Sequence, residues 1–353
     1  MAERFIDQTD RRNMDKTVML LEKMPEFVRE YINEKYAYHT MPSTLYVYAL
    51  DISVFLDFFA KRLKKEVLSV SVSDLAGLKR KDHIEFIAWL RASGNKDQSI
   101  RRYQASITGL YEYLTNSGDY HVDYNIPKSI PRPKLARNKA ISTFSDDDID
   151  IIRSSVDAGS GQRKKEKDYY NKHQQRDNLV VTLLLTTGMR VSELIGLNLS
   201  DFRRDYSEVT IIRKERTQQR IFLSEEASAA ICTYIEGERK ELYKKAMEIA
   251  PDMLQDCKDP LILTVTKAYA GRISRVAVER LVKVHGLGTE ASKTTPHEYR
   301  RTYGTRVYHE TGNIGVTAEL LGHASPSVTK AYYADSDIEK HKQYTGIVAF
   351  RKN

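Results

Sequence analysis

Cysteine is scarce in this sequence, since Cys232 and Cys257 are the only two among 353 residues. Two cysteines are too few for a disulfide framework, and no CxxC pair or Cys/His spacing typical of a zinc site occurs. Apolar runs are short as well: none approaches the roughly 20 residues that cross a bilayer, and the N-terminus lacks the apolar core of a secretory signal. The sequence therefore predicts a reduced, cytoplasmic protein.

Acidic residues are outnumbered by basic ones. Lysine plus arginine count 56 against 48 for aspartate plus glutamate, and the isoelectric point is about 9.1. Such a surface attracts polyanions, and charge alone does not choose between nucleic acid and an acidic membrane face. The length exceeds that of one ordinary compact domain, so we expect two domains, each with a core of its own.

The N-terminal third carries apolar residues at the spacing of amphipathic helices. The pattern predicts helices over residues 14–36, after Ser43, over 81–92 and over 98–115. In the third of these, Ile84, Phe86 and Leu90 are expected to face inward, and Trp89 to pack in the bundle. We expect an N-terminal arm at 1–13, then a helical bundle at 14–118.

Basic residues cluster at the start of the fourth predicted helix, where Lys96, Arg101 and Arg102 lie close together in the sequence. Basic side chains on an outer face can contact phosphates, which is the mode in which proteins grip nucleic-acid backbones. An ordinary solvated face has the same composition. The sequence thus makes these three residues candidates for DNA binding.

Residues 119–142 interrupt the helical pattern. Pro127, Pro131 and Pro133 forbid a regular helix there, and the basic residues of the segment lack acidic neighbours. A basic linker between two domains can lie along a charged rod, so Lys134 is a further candidate for phosphate contact. An ordinary surface connection is the alternative.

The second domain, residues 143–353, is predicted to be mainly helical. The polar residues 161–176 suggest an exposed loop or helix end, and an apolar helix follows over 177–187. Two short strands, 208–213 and 220–223, flank a polar turn and predict one hairpin within this helical domain.

Three segments of this domain place polar residues beside helix ends. Arg190 follows Gly188, a residue that ends helices, and Glu193 lies one turn further on. In the second segment, Thr295, Pro296 and Glu298 occupy the positions of an N-cap, N1 and N3, so that a helix begins and carries His297 and Arg300 one turn apart. In the third, Gly322 ends a helix before His323, and Tyr332 lies in the second turn of the next predicted helix.

The order and spacing of these residues resemble the tyrosine recombinase and phage integrase family, including the Xer recombinases. The resemblance rests on Arg190, the His297-x-x-Arg300 motif, the LLGH sequence ending at His323, and the tyrosine nine residues later. It implies a SAM-like, core-binding helical bundle followed by a mostly helical catalytic domain with a small β-hairpin or sheet, the DNA breaking-rejoining fold. It also implies a bacterial, nucleoid-associated enzyme that needs no metal or nucleotide cofactor.

The residue types suit chemistry at a phosphodiester. Attack on phosphorus adds negative charge to its non-bridging oxygens, and two guanidiniums, Arg190 and Arg300, can clamp them by bidentate hydrogen bonds. Tyr332 is the predicted nucleophile, and its phenol, with an ordinary pKa near 10, needs nearby cations or a base. His297 is the candidate for proton removal and His323 for a hydrogen bond to the phosphate.

The family supplies its acid for the leaving 5′ oxygen as a lysine on a β-hairpin, a position that Lys214 occupies here. The family's glycines beside this lysine are replaced by Arg213 and Glu215. An exposed turn lysine is the competing interpretation, with Arg216 and Lys267 as weaker substitutes for the acid.

Other departures from the family pattern surround the second arginine and the nucleophile. Tyr299 and Arg301 flank Arg300 where a leucine and a histidine are usual, so Arg301 is a candidate for DNA contact. Tyr333 follows Tyr332, and because a helix turns about 100° per residue, both hydroxyls cannot face one phosphate. Glu193 resembles the acid that orients the first arginine from behind; an ordinary surface ion pair is the alternative.

The resemblance implies a site-specific recombinase that joins duplex DNA strands through a 3′-phosphotyrosine and a Holliday junction. It also implies a homotetramer on two paired sites, alone or with a related recombinase, and a tail from about residue 337 that docks on a neighbouring protomer. Two other functions stay open: a relaxing enzyme of the type IB topoisomerase kind, and a catalytically silent DNA-binding regulator. Chromosome dimer resolution and mobile-element movement are not separated by the sequence.

Overall fold

The computed structural model describes residues 4–135, 142–158, 164–213, 216–251, 259–266, 269–290 and 294–322. The chain divides into two compact units, one formed by Ile6–Lys139 and the other by residues 140–353 together with the first five. Each unit has its own hydrophobic core.

The N-terminal unit is a bundle of helices. Its elements in chain order are α1 (Phe5–Leu21), α2 (Glu26–Ala37), α3 (Pro42–Leu63), α4 (Val72–Ala76), α5 (Arg80–Ala92) and α6 (Asp97–Asn116), with 3-10 turns at Val67–Ser69 and Ile126–Ser129. Helix α1 therefore occupies most of the segment that the sequence assigned to an N-terminal arm.

The single helix expected over residues 14–36 is two helices. Pro25 has an extended backbone (φ −58°, ψ 155°) directly before α2, and a proline disfavours the helical conformation of the residue before it. The side chain of Arg29 then bonds two carbonyls at the break, donating to Leu21 O (3.2 Å) and Met24 O (3.1 Å). Apolar periodicity continued across the break and concealed it.

Helix α3 forms the centre of this bundle. Phe55 and Phe59 are fully buried, and Phe55 packs edge-on against the ring of Phe86 from α5, 5.3 Å between centroids. The helix is also long and apolar enough to cross a membrane by composition, although 44% of its most apolar window is buried within the protein. The expectation that no apolar run approaches this length was therefore wrong; this run belongs to a core helix.

Two side chains expected inside the bundle are partly outside it. Ile84 is 45% exposed and Trp89 42% exposed. The indole nevertheless stacks on Phe86 (5.9 Å between centroids) and leans on Phe58 (5.3 Å), so that one of its faces covers the core. The apolar periodicity identified the face of α5 that packs on the core, but it predicted a wider buried face than the one observed.

The described part of the predicted linker, residues 119–135, packs against the bundle. Val122, Pro127 and Ile130 are buried, and the amide of Asn125 donates to Thr108 O of α6 at 3.0 Å. Prolines lack an N–H but keep a carbonyl, and Pro133 O accepts from Arg101 at 3.2 Å. The prolines thus prevent an α-helix, yet the segment stays packed against the bundle.

The C-terminal unit is built around one buried helix. Its elements in order are α7 (Asp146–Ala158), α8 (Lys164–Lys172), α9 (Gln174–Thr187), α10 (Val191–Gly196), a 3-10 turn (Leu199–Asp201), β1 (Glu208–Ile212), β2 (Gln218–Phe222), α11 (Glu225–Tyr234), a π-helical turn (Ile235–Arg239), α12 (Lys240–Ile249), β3 (Leu263–Val265), β4 (Ala270–Arg272), α13 (Arg275–His285), α14 (Pro296–Thr311) and α15 (Ile314–Leu321). Helix α9 contacts α7, α11, α13 and α14.

The polar stretch 161–176 is largely helical in its described part, not a loop. Helix α8 covers Lys164–Lys172, and α9 begins at Gln174, three residues before the expected start. Lysine, glutamate and glutamine are good helix formers, but they supply no apolar periodicity from which a helix is recognised.

The described residues of this unit also form two small antiparallel sheets. The expected hairpin pairs β1 with β2, with Val209 opposite Ile221. The second pairs β3 with β4, with Leu263 opposite Arg272, and the sequence did not indicate it. The predicted fold class, mainly helical with a small sheet component, is confirmed.

Candidate active site

The end of α9 leads directly into the first motif. Gly188 caps the helix with φ +59°, and a Cβ on this residue would collide with the ring of Tyr303 from α14. Both the left-handed backbone and the close ring require glycine here. Arg190 is the N-cap residue of α10, and Glu193 Oε2 accepts from its backbone N–H at 2.6 Å.

Glu193 lies beneath Arg190. Its side chain is 2% exposed, and Oε1 accepts from Arg190 Nη1 at 2.8 Å while the arginine side chain stays 34% exposed. The alternative of a surface ion pair is therefore wrong. The carboxylate holds one edge of the guanidinium from the protein side, and a third of the Arg190 side chain faces solvent.

Arg300 connects the second motif to the other two. Its helix begins as expected, with Thr295 N donating to Glu298 Oε2 at 2.9 Å. The buried guanidinium donates from Nη1 to Gly188 O (2.7 Å) and from Nη2 to Leu321 O (2.6 Å). Arg300 thereby joins the end of α9, two residues before Arg190, to the end of α15.

His297 lies in a cationic environment. Partial desolvation, followed by the positive charges of Arg301, Arg300 and Arg190, lowers the pKa of His297 below its usual 6.5. An imidazole beside three guanidiniums is disfavoured in its charged form. The surroundings of His297 thus favour its neutral form, in which one ring nitrogen is a hydrogen-bond acceptor.

Arg213 is a component of the site that the sequence analysis did not assign. Its buried guanidinium donates from Nη1 to Glu193 Oε2 (2.8 Å), from Nε to Gln219 Oε1 (2.7 Å) and from Nη2 to Leu320 O (3.2 Å). Burial, the largest cause, and the nearby charge of Arg190 lower its pKa, which the Glu193 carboxylate raises. The only signal in the sequence was an arginine replacing a glycine of the family hairpin.

The last carbonyls of α15 are held by these side chains. Gln219 Nε2 donates to Glu319 O at 3.0 Å, beside the bonds from Arg213 and Arg300 to the next two carbonyls. Gly322 ends the helix with φ +61°, and a Cβ there would lie 2.5 Å from Arg213 Nε. Positive side chains at a helix C-terminus are electrostatically favourable, and the glycine makes room for one.

Several predicted residues lie outside the described part of the chain: Lys214, His323 and Tyr332, together with the alternatives Lys267 and Tyr333. Arg216 is described; it is exposed, with φ +62°, and its N–H donates to Arg213 O at 2.9 Å.

The two residues that flank Arg300 in the sequence differ in their exposure. Tyr299 is fully buried, with its ring edge-on to Phe144 at 4.9 Å. Arg301 is partly exposed. Of the two adjacent arginines, Arg300 is the one that bonds both Gly188 O and Leu321 O.

The DNA-binding candidates of the N-terminal unit differ in their surroundings. Lys96 and Lys134 are exposed. Arg101 donates to a backbone carbonyl, as described above. Arg102 makes a bidentate ion pair with the fully buried Asp51, at 2.7 Å and 3.1 Å. Its guanidinium therefore neutralises a core carboxylate.

Comparison with known proteins identifies the family. A sequence model of the phage integrase family matches residues 163–339. The chain belongs to this family. The tyrosine recombinase XerS of Streptococcus thermophilus is 26% identical over an alignment covering 90% of this chain and 96% of that protein. The predicted enzyme, a tyrosine recombinase acting in site-specific DNA recombination, is confirmed.

Solved structures share the fold. The XerH site-specific recombinase bound to palindromic difH substrate superposes with a TM-score of 0.61 at 19% identity, covering 98% of this chain and 99% of that one. The Tn1549 transposon integrase in complex with circular intermediate DNA gives 0.57 at 16% identity, covering 90% and 98%. At these identities the likeness concerns the fold alone.

Proposed function

We propose that this recombinase binds duplex DNA and cuts and rejoins its strands through a 3′-phosphotyrosine at Tyr332. The observation that carries the proposal is the convergence of two motifs that are 110 residues apart in the sequence: Arg300 donates to Gly188 O, two residues before Arg190. Two guanidiniums held by protein contacts form a preorganised site for a phosphate.

In the cleavage step, the Tyr332 oxygen attacks phosphorus and the bond from phosphorus to the 5′ oxygen breaks. His297 takes the phenolic proton, Lys214 supplies a proton to the 5′ oxygen, and His323 hydrogen-bonds the phosphate. Arg190 and Arg300 neutralise the charge that develops on the non-bridging oxygens. Rejoining is the reverse, with the 5′ hydroxyl of a partner strand as nucleophile, so the phosphotyrosine ester conserves the bond energy.

The roles of the two arginines follow from how they are held. Arg190 is partly exposed and tied on one side to Glu193, which leaves an outward face for a phosphate oxygen. Arg300 is buried and fixed by two carbonyls, which orients its planar guanidinium rigidly. A lysine cannot reproduce either arrangement, because it lacks the planar fork of donors.

We further propose that two paired DNA sites are bound by a homotetramer in the cytoplasm, at the nucleoid, and that exchange passes through a Holliday junction. Lys96, Arg101, Lys134 and Arg301 are the proposed backbone contacts. Arg102 is kept as a candidate, although its bond to Asp51 competes with phosphate. Resolution of chromosome dimers and movement of a mobile element use this same chemistry, and sequencing of DNA crosslinked to the protein in its host separates them.

The test is a nicked suicide duplex, from which the cleaved end diffuses away and leaves the protein attached. The substrate is recovered from a random-sequence library by covalent capture on the unmodified protein. We expect an adduct that Tyr332→Phe abolishes and Tyr333→Phe retains. Relaxation of supercoiled DNA without any site preference would instead favour the topoisomerase-like enzyme. Absence of an adduct on DNA that the protein binds would favour the silent regulator.

A further inference from the structure

Arg213 stands at the junction of the hairpin, α10 and the end of α15. It is the last residue of the hairpin before the turn, since its N–H donates to Thr217 O at 2.8 Å. From there its side chain reaches three acceptors on three different elements: Gln219 on β2, Glu193 on α10 and Leu320 on α15. A lysine or a shorter side chain has no geometry that bridges all three.

The carboxylate of Glu193 is shared by two arginines. Oε1 accepts from Arg190 Nη1, and Oε2 accepts from Arg213 Nη1, both at 2.8 Å. A buried carboxylate that holds two guanidiniums fixes their relative orientation. A change at Arg213 is therefore transmitted to Arg190 through one side chain.

The contacts also form a closed circuit. From Arg213 the chain of hydrogen bonds runs through Leu320 O to the end of α15, where the next carbonyl, Leu321 O, accepts from Arg300. Arg300 returns through Gly188 O to the segment that carries Arg190. Arg190, Arg300 and Glu193 all belong to this circuit, and Arg213 links Glu193 to the end of α15.

We propose that Arg213 is a positioning residue for strand cleavage. It holds Arg190 through Glu193 and fixes the position of Glu193 relative to the end of α15. This inference rests on the proposed function. Arg213 acts through other residues and does not itself contact the scissile phosphate.

The first measurement is the single-turnover cleavage rate on the captured suicide duplex with protein in excess. We expect Arg213→Met, which keeps the length of the stem and removes the donors, to cleave about 30-fold more slowly, the order of magnitude for loss of one preorganised contact. Arg213→Lys, which keeps the charge, is expected to lose about 10-fold and serves if the methionine variant does not fold. DNA affinity, from fluorescence anisotropy, should change less than about threefold.

The matched control is Arg220→Met. Arg220 lies on β2 of the same hairpin and is exposed, so this substitution removes the same charge without touching Glu193. Its cleavage rate should stay within about threefold of the unmodified protein.

The second measurement separates positioning from a merely structural role. A duplex with a methylphosphonate at the scissile position lacks one charged non-bridging oxygen, so its cleavage depends less on the orientation of Arg190. Arg213→Met should be slowed less than about threefold on this substrate.

Equal slowing on the charged and neutral substrates, or an unimpaired Arg213→Met on the charged one, would overturn the assignment. No adduct from the unmodified protein on either substrate would overturn the proposed function, and the role of Arg213 with it.

Discussion

In the N-terminal unit a buried carboxylate, Asp51, faces the guanidinium of Arg102; in the C-terminal unit a buried carboxylate, Glu193, faces Arg190. Both arginines are partly exposed, 46% and 34% by side chain. Asp51 accepts from both Nε and Nη2 of Arg102 and also from Ser106 Oγ at 2.8 Å. Glu193 takes only one nitrogen of the Arg190 guanidinium, and its other oxygen is occupied by Arg213.

The difference separates an arginine that neutralises a core carboxylate from one that we propose as a phosphate-binding residue. In the first case two donors of the arginine serve the protein interior. In the second, the carboxylate orients a guanidinium that keeps an outward face. Residue type and exposure are alike in the two places, so the partner geometry decides which role each arginine has.

The largest expected effect is on catalysis. Arg190→Ala and Arg300→Ala should each slow single-turnover cleavage of the suicide duplex about 100- to 1000-fold, because each removes a guanidinium that we propose to stabilise the charge developing on the phosphate. The unfolding free energy of Arg190→Ala should fall by less than that of a variant lacking Arg102, since Glu193 keeps its bond to Arg213. Cleavage by Arg190→Ala within tenfold of the unmodified protein would remove this residue from the site.

The next effect is on stability. Arg102→Met leaves the Asp51 carboxylate buried without its guanidinium, and we expect a loss of about 2 to 3 kcal/mol in unfolding free energy, less than for a fully buried pair because Arg102 is partly exposed. Urea denaturation of the full chain measures it. Asp51→Asn in the Arg102→Met background should restore part of the loss, and Arg80→Met, which removes an exposed guanidinium from the same unit, is the matched control. An unchanged urea midpoint in Arg102→Met would contradict the comparison.

The dependence of stability on pH gives a further comparison of the two units, through His83 in the N-terminal unit and His297 in the C-terminal unit. Burial lowers the pKa of His83 to about 4. Because the folded state then binds fewer protons than the unfolded state between about pH 6.5 and pH 4, stability is lost as the pH falls through this window. From pH 7.5 to pH 5 the loss is about 2 kcal/mol by this linkage.

His83→Leu should flatten the dependence of the urea midpoint on pH over that range. His297→Gln should flatten it less, because the pKa of the exposed His297 is also lowered but only that of His83 falls as far as about 4. A midpoint whose dependence on pH is the same with and without His83 would show that another group carries the acid sensitivity.

The smallest expected effect is on stability and concerns two buried tyrosines. The hydroxyl of Tyr111 donates to Leu75 O at 3.0 Å, whereas that of Tyr299 has no hydrogen-bond partner among the described residues. Tyr299→Phe should therefore be neutral or stabilise by up to about 1 kcal/mol, and Tyr111→Phe should cost about 1 kcal/mol. Thermal melting of the two variants side by side gives the sign. A destabilised Tyr299→Phe would reveal a partner for its hydroxyl.

Local sequence signals gave the most reliable predictions of structure. The capping pattern at Thr295 and Glu298, and the helix ends at Gly188 and Gly322, are found where they were expected. These features depend on residues within one turn of each other, and so they can be recognised without the tertiary fold. The break at Pro25 was missed because apolar spacing continued across it.

Partners far apart in the chain were beyond sequence reasoning. The bond from Arg102 to Asp51 joins residues 51 positions apart, and that from Arg213 to Leu320 joins residues 107 positions apart. Which acceptor an arginine reaches depends on how helices and strands pack, and its long flexible side chain carries little local information. The roles of Lys214, His323 and Tyr332 stay predictions.

The sequence by itself determined the family, the order of the motifs and the places where their helices begin and end, because these follow from residue type and short spacing. Only the tertiary structure decided that Glu193 is shared by Arg190 and Arg213, that Arg300 bonds the ends of α9 and α15, and that Arg102 is engaged by the core. The physical reason is that a buried charge takes the partner that packing brings within hydrogen-bond distance, and packing is a property of the whole unit.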